Sequence, residues 1–457
     1  MNNKIIFTFL IILFLVPNCF SQQFEKEKIV ADLDFLNTSI KDAHYNIYSY
    51  VSKEKLDSTY QTVKESIQKD SLTLLKTINT FQRFISTINN GHTEIDFPAK
   101  SYREYAYNKG TLFPLEISFE DGKNLIRKNF SNNPEIKVGA EILKINEISM
   151  KDILSKIHPH ISAERTYLKN AKIEVASFPR LYWQVFGKQD RFEIEIRDQK
   201  TIKKHVINAV NLIEGYEKKR TEVLNSTMSV KSFKSSDYIN PGNFSGDEKA
   251  YRKFIDSAFI KIYKNQKNNL IIDLRNNAGG DNSFSDYLVS YIANKPFRWN
   301  SKLTIKTSKF LKEHTRKHND TTDTYFKNIL SHTDNEIYDY EFEEYQPQEK
   351  NKRFQGKVYV LINRQSHSQS AVTAAQIQDY KFGTIVGEET GDYPSLYASQ
   401  FQYSLPNTGI VVKVSKGYIV RVNGSKKQEG VIPDIIIRDH LLDETDEILD
   451  LLLEKLN

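Results

Sequence analysis

The chain of 457 residues has one cysteine, Cys19, and only 3 methionines and 2 tryptophans. If the segment before Gln22 is removed, no thiol remains, which excludes disulfides, a cysteine nucleophile and a cysteine-ligated metal site. Beyond residue 16, no apolar run reaches the roughly 20 residues that a transmembrane helix needs. The net charge is only +6 and no basic block stands out, so nucleic acid is not expected as a partner.

What is present fits a soluble globular protein of several domains. Hydrophobic residues make up 39% of the chain and charged residues 27%. The length predicts two to four domains.

The first 21 residues have the pattern of an export signal. Ile5 to Val16 is an apolar run too short to span a bilayer comfortably, and Pro17 ends it. Cys19-Phe20-Ser21 places small residues before a cut after Ser21. The alternative is lipidation of Cys19, but Pro17 and Asn18 fit poorly before a lipidated cysteine. We therefore expect an exported protein that is periplasmic, on the cell surface or extracellular.

Residues 22–98 are predicted to form a helical region with three helices, because apolar residues recur at helical spacing. Asn89-Asn90-Gly91 is a helix stop, and His92 follows it on a turn. A turn after a helix is not expected to belong to the core. A lone histidine in such a place is usually structural or on the surface.

Residues 101–210 are predicted to form a small β-rich module with one or two helices. Phe113 to Phe119 and Lys123 to Lys128 flank Glu120-Asp121-Gly122, which is a hairpin signal. Phe192 to Ile196 alternates strictly, as a half-buried strand does.

Residues 211–457 are predicted to form an α/β unit. The buried strand Asn269 to Leu274 ends in a glycine pair, Gly279-Gly280, and a helix follows. Such a pair either lets backbone N–H groups face a ligand or simply makes a tight turn. Residues 297–355 are polar and indicate a surface insertion with one helix near Phe310 to His318. His314 and His318 within it are more typical of a solvated helix face than of a metal site.

The segment 356–391 contains three serines in five residues. Lys357 to Asn363 is predicted to be a buried strand and Ala371 to Asp379 a helix, with Ser366, Ser368 and Ser370 between them. A hydroxyl there lies beside the unpaired N–H groups at the start of the helix, where an oxyanion can be stabilised. Helix capping is the alternative, although one serine suffices for a cap.

These motifs together resemble the C-terminal processing, or tail-specific, serine peptidases and the tricorn protease core. The resemblance rests on NLIIDLRNNAGG, KVYVLIN, SHSQSAVTAAQIQDYKFGTIVGEETG and EGVIPDI, and it covers most of residues 225–440. ILKINEIS, residues 142–149, extends it to the PDZ-type domain that such enzymes often carry. The resemblance implies an α/β and α+β multidomain protein: a helical N-terminal region, a PDZ-like module and a crotonase-like catalytic domain.

The resemblance also selects the nucleophile and the base. In the tail-specific branch the serine lies eleven residues before the aspartate of a Gln-Asp-Tyr segment, which is Asp379 here and selects Ser368. The lysine base of that branch falls on Tyr393, so a Ser–Lys dyad is not expected. The tricorn-like branch instead implies His92 as base and Glu429 as its acid. In that branch a serine often precedes the histidine, and here that residue is Gly91.

The implied activity is hydrolysis of peptide bonds in peptides or unfolded proteins, without cofactor or metal. Neutral His92 would take the proton of Ser368, and Glu429 would orient and stabilise the imidazolium. The backbone N–H groups of Gln369 and Gly279 would form the oxyanion hole. His367 is not assigned as the base, because adjacent side chains on a turn usually diverge.

Two other functions remain open at this stage. One is an inactive family member that binds peptides, which the incomplete catalytic set motivates. The other is an apolar-ligand-binding protein, since this fold also serves as a retinoid-binding scaffold. The sequence does not give the oligomeric state.

Overall fold

The computed structural model describes residues 22–224 and 227–457. The predicted export signal and Cys19 lie outside the described residues. No helix in the described part of the chain is long and apolar enough to cross a membrane.

The N-terminal region contains the three predicted helices. Leu33, Leu36 and Ile40 lie on one face of the first helix and are fully buried. Ser52 and Thr73 cap the second and third helices by accepting backbone N–H groups. The elements are β1 (Gln23–Glu25), α1 (Lys26–Ala43), α2 (Lys53–Glu65), β2 (Ser71–Thr73), α3 (Leu74–Ile85) and a 3₁₀ turn at Ser86–Ile88.

The middle module is an antiparallel sheet with helices packed against it. The elements are α4 (Ala99–Tyr107), β3 (Thr111–Leu112), β4 (Leu115–Glu120), β5 (Lys123–Asn129), β6 (Glu141–Ile145), β7 (Ile148–Ser149), α5 (Met150–Ile157), α6 (Thr166–Ala176), α7 (Phe178–Phe186), β8 (Arg191–Asp198), β9 (Thr201–Asn208) and β10 (Val210–Asn211). Its strand order is β4-β5-β6-β8-β9, and β7 pairs with β6. The module has more helices than the one or two predicted. One of them, α7, has Pro179 as its second residue, in the first turn, where proline is tolerated.

The C-terminal part is built on a mostly parallel sheet. Its elements, with those of the insertion, are β11 (Ser229–Ser232), β12 (Ser236–Asn240), α8 (Glu248–Asn265), β13 (Asn269–Asp273), α9 (Asn282–Ser290), β14 (Lys302–Lys306), α10 (Lys309–His318), α11 (Thr324–Ser331), β15 (Ile337–Tyr340), β16 (Lys357–Ile362), α12 (Gln369–Tyr380), β17 (Thr384–Gly387), β18 (Leu396–Ser404), β19 (Val411–Val420), β20 (Ile435–Ile436) and α13 (Glu447–Leu456). The strand order is β11-β12-β13-β16-β17-β20, with only β11 antiparallel to its neighbour. Helices α8, α9 and α12 contribute to the core on one face and α13 to the core on the other.

The insertion at 297–355 differs from the predicted surface excursion. It has the predicted helix, α10, and a second helix, α11, that was not predicted. It also has β14 and β15, which join β19 and β18 in a second sheet of order β15-β14-β19-β18. Trp299, Leu303 and Ile305 are buried in the same core as helices α1 to α3. In the sequence, the apolar alternation of β14 is short and lies among many charged residues, so it is not recognised as a strand.

Candidate active site

Three loops meet at the carboxyl ends of adjacent parallel strands. Gly279 follows β13, Ser368 follows β16 and Asp392 follows β17, and β16 lies between the other two strands. In open α/β sheets this edge is where ligands bind. The sheet order therefore brings together segments that are far apart in the sequence.

Ser368 differs from its two neighbouring serines. The hydroxyls of Ser366 and Ser370 both donate to the carbonyl oxygen of Leu274, at 2.8 and 3.1 Å. Among the described residues, the Ser368 hydroxyl has no hydrogen-bond partner. Its backbone lies at φ 53° and ψ −125°, a conformation that non-glycine residues rarely adopt and that is concentrated at functional sites. The Ser368 hydroxyl therefore makes no hydrogen bond that stabilises the fold and is available for chemistry.

The glycine run packs directly on the Ser368 turn. Gly279 has φ +84°, and a Cβ there would lie 2.6 Å from the carbonyl oxygen of His367. The Gly279 N–H, predicted as an oxyanion donor, donates to the side chain of Asn277 at 2.7 Å. Within the described residues, the N–H groups of Gly280 and Gln369 have no acceptor. Of the two predicted donors, only that of Gln369 is free in this conformation.

His92 is buried, with 4% of its surface exposed, so the expectation of a turn outside the core is wrong. The N–H of Gly91 donates to Glu164 at 2.8 Å, and the Gln400 amide donates to the His92 carbonyl at 2.7 Å. These contacts hold the predicted helix stop inward, between the residue that precedes α6 and strand β18, because each gives a backbone group a hydrogen-bond partner.

The acid next to His92 is Asp392, which the sequence analysis did not single out. Its Oδ2 accepts the N–H of Ser368 at 2.8 Å and lies 3.3 Å from Nε2 of His367 and 3.8 Å from Nε2 of His92. The two imidazole rings stack with centroids 5.0 Å apart. Asp392 therefore connects the turn of the predicted nucleophile to two histidines.

Burial and charge set the protonation of this cluster. Burial lowers the pKa of His92, and the nearby Asp392 carboxylate only partly opposes this, so the ring is neutral at pH 7. Burial would raise the pKa of Asp392, but His367, His92 and the Ser368 N–H hold it below its usual range. Burial and the charge of Asp392 raise the pKa of Glu164. The arrangement pairs a neutral imidazole with an ionised acid.

Glu429 lies apart from these residues. Its carboxylate is 3.6 Å from the Lys427 ammonium, and 46% of its side chain is exposed. No hydrogen bond or ion pair within the described ranges connects it to His92. The turn itself does support the site, because the Val431 N–H donates at 2.8 Å to Thr390, whose hydroxyl donates at 2.8 Å to the Asp392 carbonyl.

Two cavities adjoin the cluster. A cleft of about 1020 Å³ is lined by His92, Ser368 and Gln369 on one side. Residues of the insertion and of β18 form its apolar wall, among them Trp299, Leu311, Phe326, Phe342 and Phe401. A second cavity of about 410 Å³ is lined by Ile161, Leu168, Ala171 and Leu181. His367 borders both cavities.

Asp392 lies at a position in the sequence that is typical of a site residue, although it belongs to none of the motifs discussed above. Asp392 follows a short buried strand, as Ser368 does, and polar residues after neighbouring parallel strands converge at one sheet edge. His367 was set aside because neighbouring side chains diverge. In the structure, Nε2 of His367 lies 3.3 Å from the Asp392 oxygen that accepts the N–H of Ser368.

Residues 230–437 match the family model described as Peptidase family S41. The matched range contains the glycine run, the three serines and the Glu429 turn, so the resemblance to C-terminal processing peptidases is confirmed. A stretch of 89 residues is 35% identical to a tail-specific protease of Haemophilus influenzae. It covers 18% of this chain and 13% of that protein, so the chain matches only a small part of this relative.

Two solved structures share the fold over most of the chain. Mature CPAF covers 90% of this chain and 92% of its own, with a TM-score of 0.61 and 14% identity. Mature CPAF complexed with lactacystin covers 90% and 94%, with a TM-score of 0.64 and 15% identity. At this identity the likeness concerns the fold.

Proposed function

Since residues 230–437 belong to peptidase family S41, we propose that this protein is an exported serine peptidase with Ser368 as nucleophile. One observation carries the proposal. Of the three serines, only Ser368 has a strained backbone and a hydroxyl without a hydrogen bond among the described residues, at the start of α12. A hydroxyl held this way faces the cleft and the positive end of a helix dipole.

His92 is the proposed base, because it lines the same cleft as Ser368 and its burial keeps the ring neutral. It takes the Ser368 proton while Oγ attacks the carbonyl carbon of the peptide. The resulting imidazolium returns the proton to the leaving amine, and the acyl group stays on Oγ. Water, activated by the same ring, then hydrolyses the ester and restores the serine.

Asp392, rather than the predicted Glu429, is the proposed acid beside His92. It is an ionised, buried carboxylate 3.8 Å from Nε2 of His92, whereas Glu429 is half exposed and paired with Lys427. Asp392 stabilises the imidazolium and also holds the Ser368 N–H. The N–H groups of Gln369 and Gly280 are the proposed oxyanion donors, since neither has an acceptor among the described residues.

The two cavities favour an extended peptide chain as the substrate. The larger cleft provides an apolar wall on one side of the cluster, and the smaller cavity provides another beside His367. A chain that occupies both would place an internal bond at the cluster, so we propose endopeptidase cleavage of unfolded or extended segments. The middle module, whose PDZ-like character remains a prediction, would contribute the second cavity through α6 and α7.

Export is proposed from the apolar run and the site after Ser21. N-terminal sequencing of the secreted protein is expected to give Gln22. An acylated Cys19 would support the lipoprotein alternative instead.

A fluorophosphonate probe tests the nucleophile directly. We expect covalent labelling that peptide mapping by mass spectrometry assigns to Ser368, and loss of labelling in Ser368→Ala. The variant Ser366→Ala is the matched control, because it removes a neighbouring hydroxyl that the fold already uses. A folded protein that the probe does not label would favour an inactive peptide-binding or apolar-ligand-binding protein.

A further inference from the structure

The buried cluster beside Ser368 has polar atoms that no described residue satisfies. Both ring nitrogens of His92, Nε2 of His367 and Oδ1 of Asp392 are buried and have no hydrogen-bond partner. His92 is 4% exposed and Asp392 1% exposed, so these atoms are shielded from bulk solvent. Buried polar atoms nearly always have a partner, and several unpaired atoms in one place indicate a missing ligand.

The donor atoms are spaced for a small metal ion. One donor atom from each of His92, His367 and Asp392 lies within 4.8 Å of the others. Asp392 Oδ2 is 3.3 Å from one Nε2 and 3.8 Å from the other. Tetrahedral zinc with bonds of about 2.0–2.1 Å requires ligand atoms about 3.4 Å apart. The longest edge therefore has to shorten by about 1.4 Å at most for a tetrahedral site.

The chemistry of the donors fits the same class of ion. Two imidazoles and one carboxylate, with a fourth position left to water, are a ligand set that Zn²⁺ accepts. Besides the Asp392 carboxylate, the groups around the cluster are the carboxyls of Glu94 and Glu164 and the ammonium groups of Lys172 and Lys413. The His367 side chain is 26% exposed and borders both cavities, which gives the ion a path inward.

We propose that His92, His367 and Asp392 form a site for a divalent cation of the zinc type, and that its occupancy switches the peptidase off. The proposal that the bound metal inhibits hydrolysis rests on the proposed function. A metal on His92 uses the lone pair that would accept the Ser368 proton, and it also draws Asp392 away from its role beside the imidazolium. Metal and catalysis therefore compete for the same two side chains.

Cobalt binding tests the site without reference to activity. The full chain, freed of metal by a chelator, is titrated with Co²⁺, and we expect one equivalent with the visible absorption of a four-coordinate site, displaced by Zn²⁺. His367→Gln removes a ligand and is expected to weaken binding by about 100-fold or more. Ser368→Ala and the double variant His314→Gln/His318→Gln, which removes the two imidazoles of α10, are expected to bind as the wild type does.

Several results would overturn the site. They are the absence of a saturable signal in the wild type, an unchanged affinity in His367→Gln, or loss of the signal in the double variant His314→Gln/His318→Gln. Circular dichroism checks the folding of each variant, and Asp392→Asn provides the same test if His367→Gln does not fold.

Inhibition is measured separately, as hydrolysis of an unfolded protein with and without Zn²⁺. We expect activity to fall with the same midpoint at which Zn²⁺ displaces Co²⁺. Full or increased activity at saturating Zn²⁺ would overturn the proposal that the bound metal inhibits hydrolysis. A metal-free protein that binds Co²⁺ but hydrolyses nothing would contradict the proposed function and leave the metal site standing.

Discussion

The imidazole rings of His92 and His367 stack at an interplanar angle of 18° with centroids 5.0 Å apart. Their Nε2 atoms face the same oxygen of Asp392. One base is enough for serine-type hydrolysis, so two histidines at one acid raise the question of which one takes the proton. His92 lines only the cleft that Ser368 lines, whereas His367 also borders the second cavity. This difference favours His92 as the base.

The first prediction concerns the base. His92→Gln is expected to lower kcat for hydrolysis of an unfolded protein by at least about 1,000-fold, because His92 lines the cleft with Ser368 and lies 3.8 Å from the buried Asp392 carboxylate. Tyr393→Phe, at the position of the lysine in the tail-specific branch, is expected to retain activity. Glutamine is used rather than alanine because His92 is buried and a cavity would destabilise the fold. Loss of activity in Tyr393→Phe with retention in His92→Gln would reverse the assignment.

The second prediction separates the two candidate acids. Asp392→Asn is expected to lower kcat by about 100- to 10,000-fold, since it removes the charge that stabilises the imidazolium. Glu429→Gln is expected to change it by less than about fivefold, because a half-exposed ion pair contributes roughly 0–1 kcal/mol. Steady-state kinetics of both variants on one substrate makes the comparison. The reverse order of effects would restore Glu429 as the acid.

The fold class and the family could be predicted from the sequence because local patterns carry them. Buried parallel strands are continuous apolar runs, such as Asn269 to Leu274. The serines that precede a predicted helix can likewise be recognised directly in the sequence. The order of those motifs along the chain then identified the family. Ser368 and His92 are both beside Asp392 in the structure, as an active site built from these motifs requires.

The acid and the insertion could not be predicted in the same way. Asp392 reaches His92 only because β17 lies next to β16, and strand order is a property of the whole sheet. Glu429 was selected by its place in a motif, yet its backbone turn contacts the site while its side chain points to Lys427. Apolar residues of the insertion pack against the N-terminal helices, and a local sequence pattern does not show which distant segment such residues will contact.

The third prediction concerns the close contact of the glycine run with the Ser368 turn. Gly279→Ala places a Cβ 2.6 Å from the His367 carbonyl oxygen and 2.8 Å from the Gln369 nitrogen. We expect loss of most activity, because the turn that presents Ser368 has to move. Gly409→Ala is the matched control: its φ is also positive, at +68°, but nothing lies within 4 Å of the added carbon. It is expected to cost only about 1 kcal/mol of stability and to keep activity. Equal activity in the two variants would contradict the argument.

The fourth prediction uses the buried carboxyl of Asp286. Burial raises its pKa to about 7, although Gln376 and Asn282 donate hydrogen bonds to it. The folded state therefore holds a proton between about pH 4 and pH 7 that the unfolded state has lost, so this group's contribution to stability decreases as pH rises through that range. We expect Asp286→Asn to remove up to about 1.4 kcal/mol per pH unit of that decrease, measured by urea unfolding.

Asp320 supplies the control for this measurement. Hydrogen bonds from Thr322 lower its pKa below the usual value of 3.8, so its contribution to stability is lost only in more acidic solution. Asp320→Asn is therefore expected to leave the slope between about pH 5 and pH 7 unchanged. An unchanged slope in Asp286→Asn would show that Asp286 is ionised in the folded protein.

The last prediction concerns the three serines. Ser368→Ala is expected to reduce hydrolysis of an unfolded protein by several orders of magnitude, because only oxyanion stabilisation and binding remain without the nucleophile. Ser366→Ala and Ser370→Ala each lose a hydrogen bond to the Leu274 carbonyl, and Ser366→Ala also loses the one accepted from Asn363. Each is expected to cost about 1 kcal/mol of stability while most activity is retained. Thermal unfolding and hydrolysis measured on all three variants separate loss of structure from loss of chemistry. Full activity in a folded Ser368→Ala would remove the nucleophile from the mechanism, and with it the roles given to His92 and Asp392.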